Sequence, residues 1–182
     1  MKEVYAFLAD GLEEVECLAA ADVMVRAGIK VTLVSITGKK KVKGSHGFKL
    51  KADVLLEDAD LSKADVLFLP GGMPGTTHLK EHEGLSKVLA EYERSGKYLA
   101  AICAAPSVFG YYGMLHGKRA VCYPGFEEQL TGAEITDKRV VRDGQFITSK
   151  GLGTAIDFSL ELITLLEGGA VAEKVAKGVQ YR

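Results

Sequence analysis

Val4-Tyr5-Ala6-Phe7-Leu8-Ala9, then Asp10-Gly11, then apolar residues at Val15, Leu18, Ala19 and Val23, then Gly28, then Lys30-Val31-Thr32-Leu33-Val34-Ser35-Ile36: the fold is decided in this opening stretch. The first and last runs are short, apolar and rich in strand formers, and the middle segment carries apolar residues at helical spacing. Gly28 sits where a helix would be terminated by a left-handed residue. A strand, a helix and a second strand over this length make the crossover unit that joins parallel strands. The reading is therefore the start of an α/β sheet.

Working outward, Lys41 to Asp53 alternates around Gly44-Ser45-His46-Gly47, which predicts a small lysine-rich hairpin at one edge of the sheet. Asp65-Val66-Leu67-Phe68-Leu69 reads as a third buried strand, and it runs into Pro70-Gly71-Gly72-Met73-Pro74-Gly75. A helix is expected over 85–94. Lys97-Tyr98-Leu99-Ala100-Ala101-Ile102-Cys103 is a strand ending at a cysteine, and Ala104-Ala105-Pro106-Ser107 opens a helix with proline in its first turn. Ala120 and Val121 lie in a short strand. Asp143-Gly144 separates two further strands as a two-residue hairpin turn, and Gly151-Leu152-Gly153-Thr154 leads into an apolar-periodic helix over 155–166. Repeats, low-complexity tracts and linkers are not found, so 1–182 is expected to form a single domain.

Composition narrows the function. The chain has 182 residues, 47% hydrophobic and 26% charged, which is globular rather than disordered. With 23 Lys+Arg against 24 Asp+Glu the formal net charge is −1. No basic excess exists to neutralise phosphates or anionic lipid, so no nucleic acid and no membrane partner is expected. The apolar runs are shorter than the ~20 residues of a spanning helix, and Met1-Lys2-Glu3 opens no signal-peptide core. A cytoplasmic protein is expected. Cys17, Cys103 and Cys122 are odd in number, widely spaced and without a CxxC, which suggests neither a disulfide framework nor a zinc ribbon. A reducing compartment fits.

Open α/β sheets bind ligands beyond the carboxyl ends of their strands. Three loops there are unusual: 10–16, 70–75 and 103–107. Cys103 stands at a sharp strand-to-helix turn, where a helix N-terminus is expected to lower a thiol pKa; a buried cysteine that simply ends a strand is the alternative. Gly71-Gly72 either bring backbone N–H groups up to a ligand or serve a turn that needs positive φ. Glu13, Glu14 and Glu16 either complement the dipole of the first helix, or include a buried carboxyl of raised pKa able to move protons. His78 and His82, four apart, could share a metal on one helix face, but nothing completes the ligand set and no metal is expected.

Taken together, Asp10-Gly11-Leu12-Glu13-Glu14-Val15-Glu16, the run from Asp22-Val23 through Arg26-Ala27-Gly28-Ile29-Lys30-Val31, Leu69-Pro70-Gly71-Gly72, Ala100-Ala101-Ile102-Cys103-Ala104-Ala105-Pro106 and Thr148-Ser149-Lys150-Gly151-Leu152-Gly153-Thr154 resemble the DJ-1/PfpI (ThiJ) superfamily, closest to its DJ-1 and YajL-like branch. The resemblance spans nearly the whole chain. It implies a flavodoxin-like three-layer α/β/α sandwich with a mostly parallel central sheet, of the class I glutamine amidotransferase-like kind, usually a homodimer. It also implies Cys103 as nucleophile, Glu16 as the protonated carboxyl on that sulfur, and Gly72 and Ala104 as oxyanion-hole donors. Gly71, Tyr123 and Pro124 would line the pocket. Two positions depart from relatives. Ala104 stands where protease-like members carry a histidine after the cysteine, and Tyr123 stands where animal members carry a histidine before proline. A phenol, with a reference pKa near ~10, is a poor general base at neutral pH.

The resemblance implies a cofactor-independent enzyme acting on a small carbonyl substrate, a 2-oxoaldehyde or its adducts, of the glyoxalase III or deglycase type. A redox-sensing stress-response protein or chaperone working through oxidation of Cys103 is the alternative reading, with a cysteine hydrolase or amidase third.

Overall fold

The structure, a computed structural model, describes residues 1–181. Its elements in chain order are β1 (Glu3–Leu8), α1 (Glu14–Arg26), β2 (Lys30–Ser35), β3 (Lys41–Lys43), β4 (Lys49–Lys51), β5 (Val54–Leu55), β6 (Val66–Leu69), α2 (Gly75–Glu81), α3 (Glu83–Ser95), β7 (Tyr98–Ile102), α4 (Pro106–Tyr111), β8 (Arg119–Ala120), β9 (Glu134–Ile135), β10 (Val140–Asp143), β11 (Phe146–Ser149), α5 (Ala155–Glu167) and α6 (Gly169–Gly178). Seven strands form one sheet in the order β10-β11-β7-β6-β1-β2-β5, parallel except for β10 against β11. From β1 the chain steps outward through β2 to β5, then returns to the other side of β1 for β6, β7 and β11. That reversal places the switch point between β1 and β6, where an α/β sheet opens its ligand crevice.

Alternation along each strand explains the layers. Val4, Ala6, Leu8, Val66, Phe68, Ala100 and Ile102 face a core with Cys17, Ala20 and Met24 of α1 and with Phe158, Leu162 and Val175 of α5 and α6. Tyr5, Phe7, Leu67, Leu69, Leu99 and Ala101 face the opposite core, with Leu79, Leu85, Leu89, Val108 and Phe109 of α2, α3 and α4. Successive side chains point to opposite faces, and both faces are covered, so the central strands are continuously apolar. Phe68 meets Phe158 at 5.2 Å between centroids in one layer, and Phe109 meets Phe146 at 5.8 Å in the other. The fold is the three-layer α/β/α sandwich that the resemblance implies.

Three local expectations need correction. Strands β3 and β4 pair only with each other, so the lysine-rich hairpin is not an edge of the central sheet; β5 is that edge. Val42 and Leu50 tie the hairpin to the α1 core while its lysines stay in solvent. The short strand expected at Ala120 and Val121 is Arg119–Ala120, paired with β9 alone, and Val121 lies beyond its end. In α1 the apolar residues mark the inner face only in part: Ala19 and Val23 pack on the core, but Val15 and Leu18 are exposed at 49% and 46%, whereas Glu14, Glu16 and Cys17 are buried.

Candidate active site

Between the end of β7 at Ile102 and the start of α4 at Pro106, Cys103 adopts φ 65, and Gln180 is the other non-glycine residue with positive φ among those described. Its N–H donates to the Ser149 carbonyl at 2.9 Å, continuing the β7–β11 pairing. Its carbonyl accepts from the Tyr123 N–H at 2.8 Å. Held on both sides, the residue turns its side chain out of the strand's alternation at the carboxyl end of the sheet. Cys103 is half-buried, whereas Cys17 and Cys122 are buried in the two cores.

Two loops close on this sulfur. At the end of β6, Gly71 gives its N–H to Glu16 Oε2 at 3.1 Å, and its carbonyl accepts from the Glu13 N–H at 2.8 Å. A Cβ on Gly71 would stand 2.5 Å from the Cys103 Cβ and 2.7 Å from Glu16 Oε2, so only glycine fits. Gly72, at φ +90, would place a Cβ 2.2 Å from the Glu13 nitrogen. The turn needs positive φ at Gly72, and at Gly71 the backbone packs directly against the cysteine. The N–H groups of Gly72 and Ala104 point at the sulfur. From the far side, a Cβ built on Gly151 would lie 3.8 Å from Cys103 Sγ, 3.6 Å from Glu16 Oε1 and 3.3 Å from Tyr123 Cδ2. Sulfur, carboxyl and phenol ring thus face one point.

All three glutamates of the first loop are buried, each in a different capacity. Glu13 caps α1, its Oε2 accepting the Glu16 N–H at 2.6 Å. Glu14 latches the tip of the β3–β4 hairpin, accepting the N–H groups of His46 at 2.9 Å and Phe48 at 3.3 Å, with His46 Nδ1 at 3.0 Å. Burial pushes its carboxyl up, but its own backbone hydrogen bond and those from His46 and Phe48 outweigh that, leaving it below the usual range. Glu16 alone faces the cysteine. Burial, reinforced by the charge of Glu13, pushes its carboxyl up to about 7, against the lowering effect of its hydrogen bonds to Cys103, Gly71 and Leu152.

The thiol behaves otherwise than expected from position alone. Burial first, then the charge of an ionised Glu16, push Cys103 up to about 12, opposed by the N–H groups of Ala104 and Gly72. α4 is six residues long, and its dipole does not overcome burial. The sign of the neighbour's effect depends on its proton. An ionised Glu16 repels a thiolate, whereas a protonated Glu16 donates to it and favours it. Sulfur and carboxyl are therefore one titrating unit.

Other candidates separate. Tyr123 is half exposed with its ring beside Gly151, while Pro124 lines a different cleft of about 330 Å³ with Val121, Cys122, Glu127 and Lys150. His78 and His82 do not share a helix face: α2 ends at Glu81, His78 Nδ1 meets the Asp10 carbonyl at 2.8 Å, and His82 caps α3 by accepting the Leu85 N–H. Burial pushes Cys17 and Cys122 up to about 12. Sequence reasoning did not find Gly151, the Leu152 N–H or His46. The first two were visible only as a glycine-rich turn, and His46 as a hairpin tip.

A thiol raised on a strand–helix elbow, facing a buried carboxyl and two backbone N–H groups at the switch point of a parallel sheet, defines a cysteine-centred α/β/α protein of the flavodoxin-like kind. The sequence model of the DJ-1/PfpI family matches residues 2–165, and the chain belongs to that family. It is similar to the Drosophila melanogaster protein dj-1beta, 40% identical over 180 residues, covering 98% of this chain and 96% of that one. It is also similar to the Caenorhabditis elegans glutathione-independent glyoxalase DJR-1.2, 35% identical, covering 86% and 83%. The solved structure described as Toxoplasma gondii DJ-1, oxidized, superposes with a TM-score of 0.95 at 33% identity, covering 99% and 98%. Among the described residues no helix is long and apolar enough to cross a membrane.

Proposed function

We propose that the protein is a cofactor-independent glyoxalase that converts 2-oxoaldehydes such as methylglyoxal to 2-hydroxy acids on Cys103. The observation that carries this reading is the facing of Cys103 Sγ and a Glu16 carboxyl that titrates near neutrality, with the Gly72 and Ala104 N–H groups on the same sulfur. The glyoxalase activity named for the Caenorhabditis elegans relative supports it.

In the reaction the sulfur forms a bond to the aldehyde carbon while the thiol proton passes to Glu16. The carbonyl electron pair becomes an oxyanion held by the Gly72 and Ala104 N–H groups, and Glu16 returns the proton to it, giving a hemithioacetal. Glu16 then removes the hydrogen on that carbon as a proton, the electron pair moves into the bond to the neighbouring carbon, and the ketone oxygen takes up a proton to give an enediol. Reprotonation of the neighbouring carbon by Glu16, with loss of the hydroxyl proton, leaves a thioester. One carbon is oxidised and its neighbour reduced, so no external redox partner is required. Water cleaves the thioester to the hydroxy acid and restores the thiol. Glu16, near 7, is matched to both donating and accepting at neutral pH.

The test is methylglyoxal consumption and lactate formation followed by NMR without glutathione. Wild type forms lactate, and Cys103→Ser and Glu16→Gln do not. A wild type that forms none overturns the reading. The second reading, a redox-sensing stress-response role through oxidation of Cys103 by peroxide, is favoured by the same carboxyl, which as a donor would hold a sulfenate or sulfinate oxygen. The domain would work as a homodimer, covering the exposed Val15 and Leu18 of α1. The expected setting is the cytoplasm.

A further inference from the structure

We infer that Glu13 is a positioning residue for the Glu16–Cys103 pair: its carboxylate holds Glu16 by the backbone, and its negative charge keeps the shared proton on the Glu16 carboxyl.

Capping alone does not account for a glutamate here. The first N–H groups of a helix are satisfied by Ser, Thr, Asp or Asn, and a neutral cap serves as well as a charged one. At Glu13 a carboxylate, 8% exposed, stands beside a second buried carboxyl, an arrangement that costs free energy a neutral cap would not. Three contacts fix it. Glu13 Oε2 accepts the Glu16 N–H at 2.6 Å, the Glu13 N–H donates to the Gly71 carbonyl at 2.8 Å, and Gly72 packs against the Glu13 nitrogen so closely that no Cβ fits between them. Glu13 thus ties the residue that bears the proton to the loop that bears one of the two oxyanion donors, Gly72. A shift of Glu13 moves both.

The charged and titratable surroundings are few. Glu16 faces Cys103, Glu13 and the buried Cys17, while Glu13 faces Glu16, Cys17 and, on the solvent side, His46, whose Nδ1 lies 3.6 Å from Glu13 Oε1 and 3.0 Å from Glu14 Oε2. Removing the proton from Glu16 sets two carboxylates side by side, so Glu13 opposes that ionisation and leaves the sulfur to lose its proton instead. The exposed imidazole is the one counter-cation on this cluster among the described residues. When charged it weakens the push that Glu13 exerts on Glu16.

The inference rests on Cys103 and Glu16 being the reacting pair, but its test needs no substrate. Glutamate labelled with ¹³C at the side-chain carboxyl is titrated by NMR in wild type, Glu13→Gln, Glu13→Asp and His46→Arg, with the Glu16 signal assigned by its loss in Glu16→Gln. Glu13→Gln keeps a cap acceptor and removes the charge, and the Glu16 midpoint is expected to fall by roughly half to one pH unit. Alkylation of Cys103 by iodoacetamide at pH 7 is expected to slow roughly three- to tenfold, the same shift read as a rate. Glu13→Asp retains the charge and a raised midpoint. His46→Arg fixes the counter-charge at an exposed position that does not endanger folding, and lowers the midpoint in the same direction as Glu13→Gln. A Glu16 midpoint unmoved by Glu13→Gln, or by His46→Arg should Glu13→Gln not fold, overturns the inference and leaves Glu13 a cap only. Absence of lactate formation with these shifts intact would overturn the glyoxalase reading alone.

Discussion

Gly71 donates its backbone N–H to the Glu16 carboxyl at 3.1 Å from a position so close that a methyl group would displace both that carboxyl and Cys103. The Glu16 carboxyl is therefore aimed by a backbone amide in the loop after β6, and its aim depends on an absent side chain.

Gly71→Ala is expected to lower lactate formation by about a hundredfold, since displacing reacting groups by about an ångström costs that much. Circular dichroism should remain that of the folded protein. Activity within a fewfold of wild type would show that the loop yields without disturbing the pair.

Glu16 makes stability depend on pH. Its folded carboxyl titrates near 7 against 4.5 for the free group, so between those values the native state binds more protons than the unfolded chain. Stability conferred by that proton is complete below about 4.5 and is lost as pH rises through 7, a change on the order of 3 kcal/mol. Urea unfolding at pH 5 and pH 8 is expected to show this loss in wild type and a much smaller one in Glu16→Gln. Equal slopes in the two proteins would contradict it.

The three cysteines should separate by access. Iodoacetamide on the native protein is expected to label Cys103 alone, with Cys17 and Cys122 labelled only after unfolding, as read by peptide mass spectrometry. Native labelling of Cys122 at a comparable rate would remove Cys103 from its special position.

Leu18, apolar and 46% exposed on α1, tests the homodimer. Light scattering on Leu18→Glu is expected to give a monomer where wild type gives a dimer, because a charge buried without a partner in an interface costs several kcal/mol, about a thousandfold or more in association. A dimeric Leu18→Glu places the contact elsewhere.

The opening crossover was legible because β1 is a short apolar run buried from Val4 to Leu8 and β2 is rich in β-branched residues, and the helix end at Gly28 was legible because its positive φ is written as glycine. The inner face of α1 was not. Next to the site the helix turns Glu14, Glu16 and Cys17 inward and Val15 and Leu18 outward, so hydrophobic spacing finds the core side only further along, at Ala19 and Val23. Cys103 and the Gly71-Gly72 turn were legible as strand-end loops of odd composition. The thiol's titration was not, because burial and the proton on Glu16 are properties of packing rather than of order along the chain. His46 reaches Glu14 across a separation of 32 residues, a contact set by how the hairpin folds back.

The backbone of Cys103 lies in the left-handed region, at φ 65, where a residue with a Cβ is disfavoured by about 1–2 kcal/mol and glycine is not. Selection for folding alone would therefore replace this cysteine with glycine. Cys103→Gly is expected to melt at a higher temperature than wild type, and a lower melting temperature would show that the packing of the half-buried sulfur outweighs the backbone strain. A variant library sorted only for thermal robustness would then drift toward an inert molecule, and a stabilising glycine at position 103 would be a sign of lost function rather than of improvement.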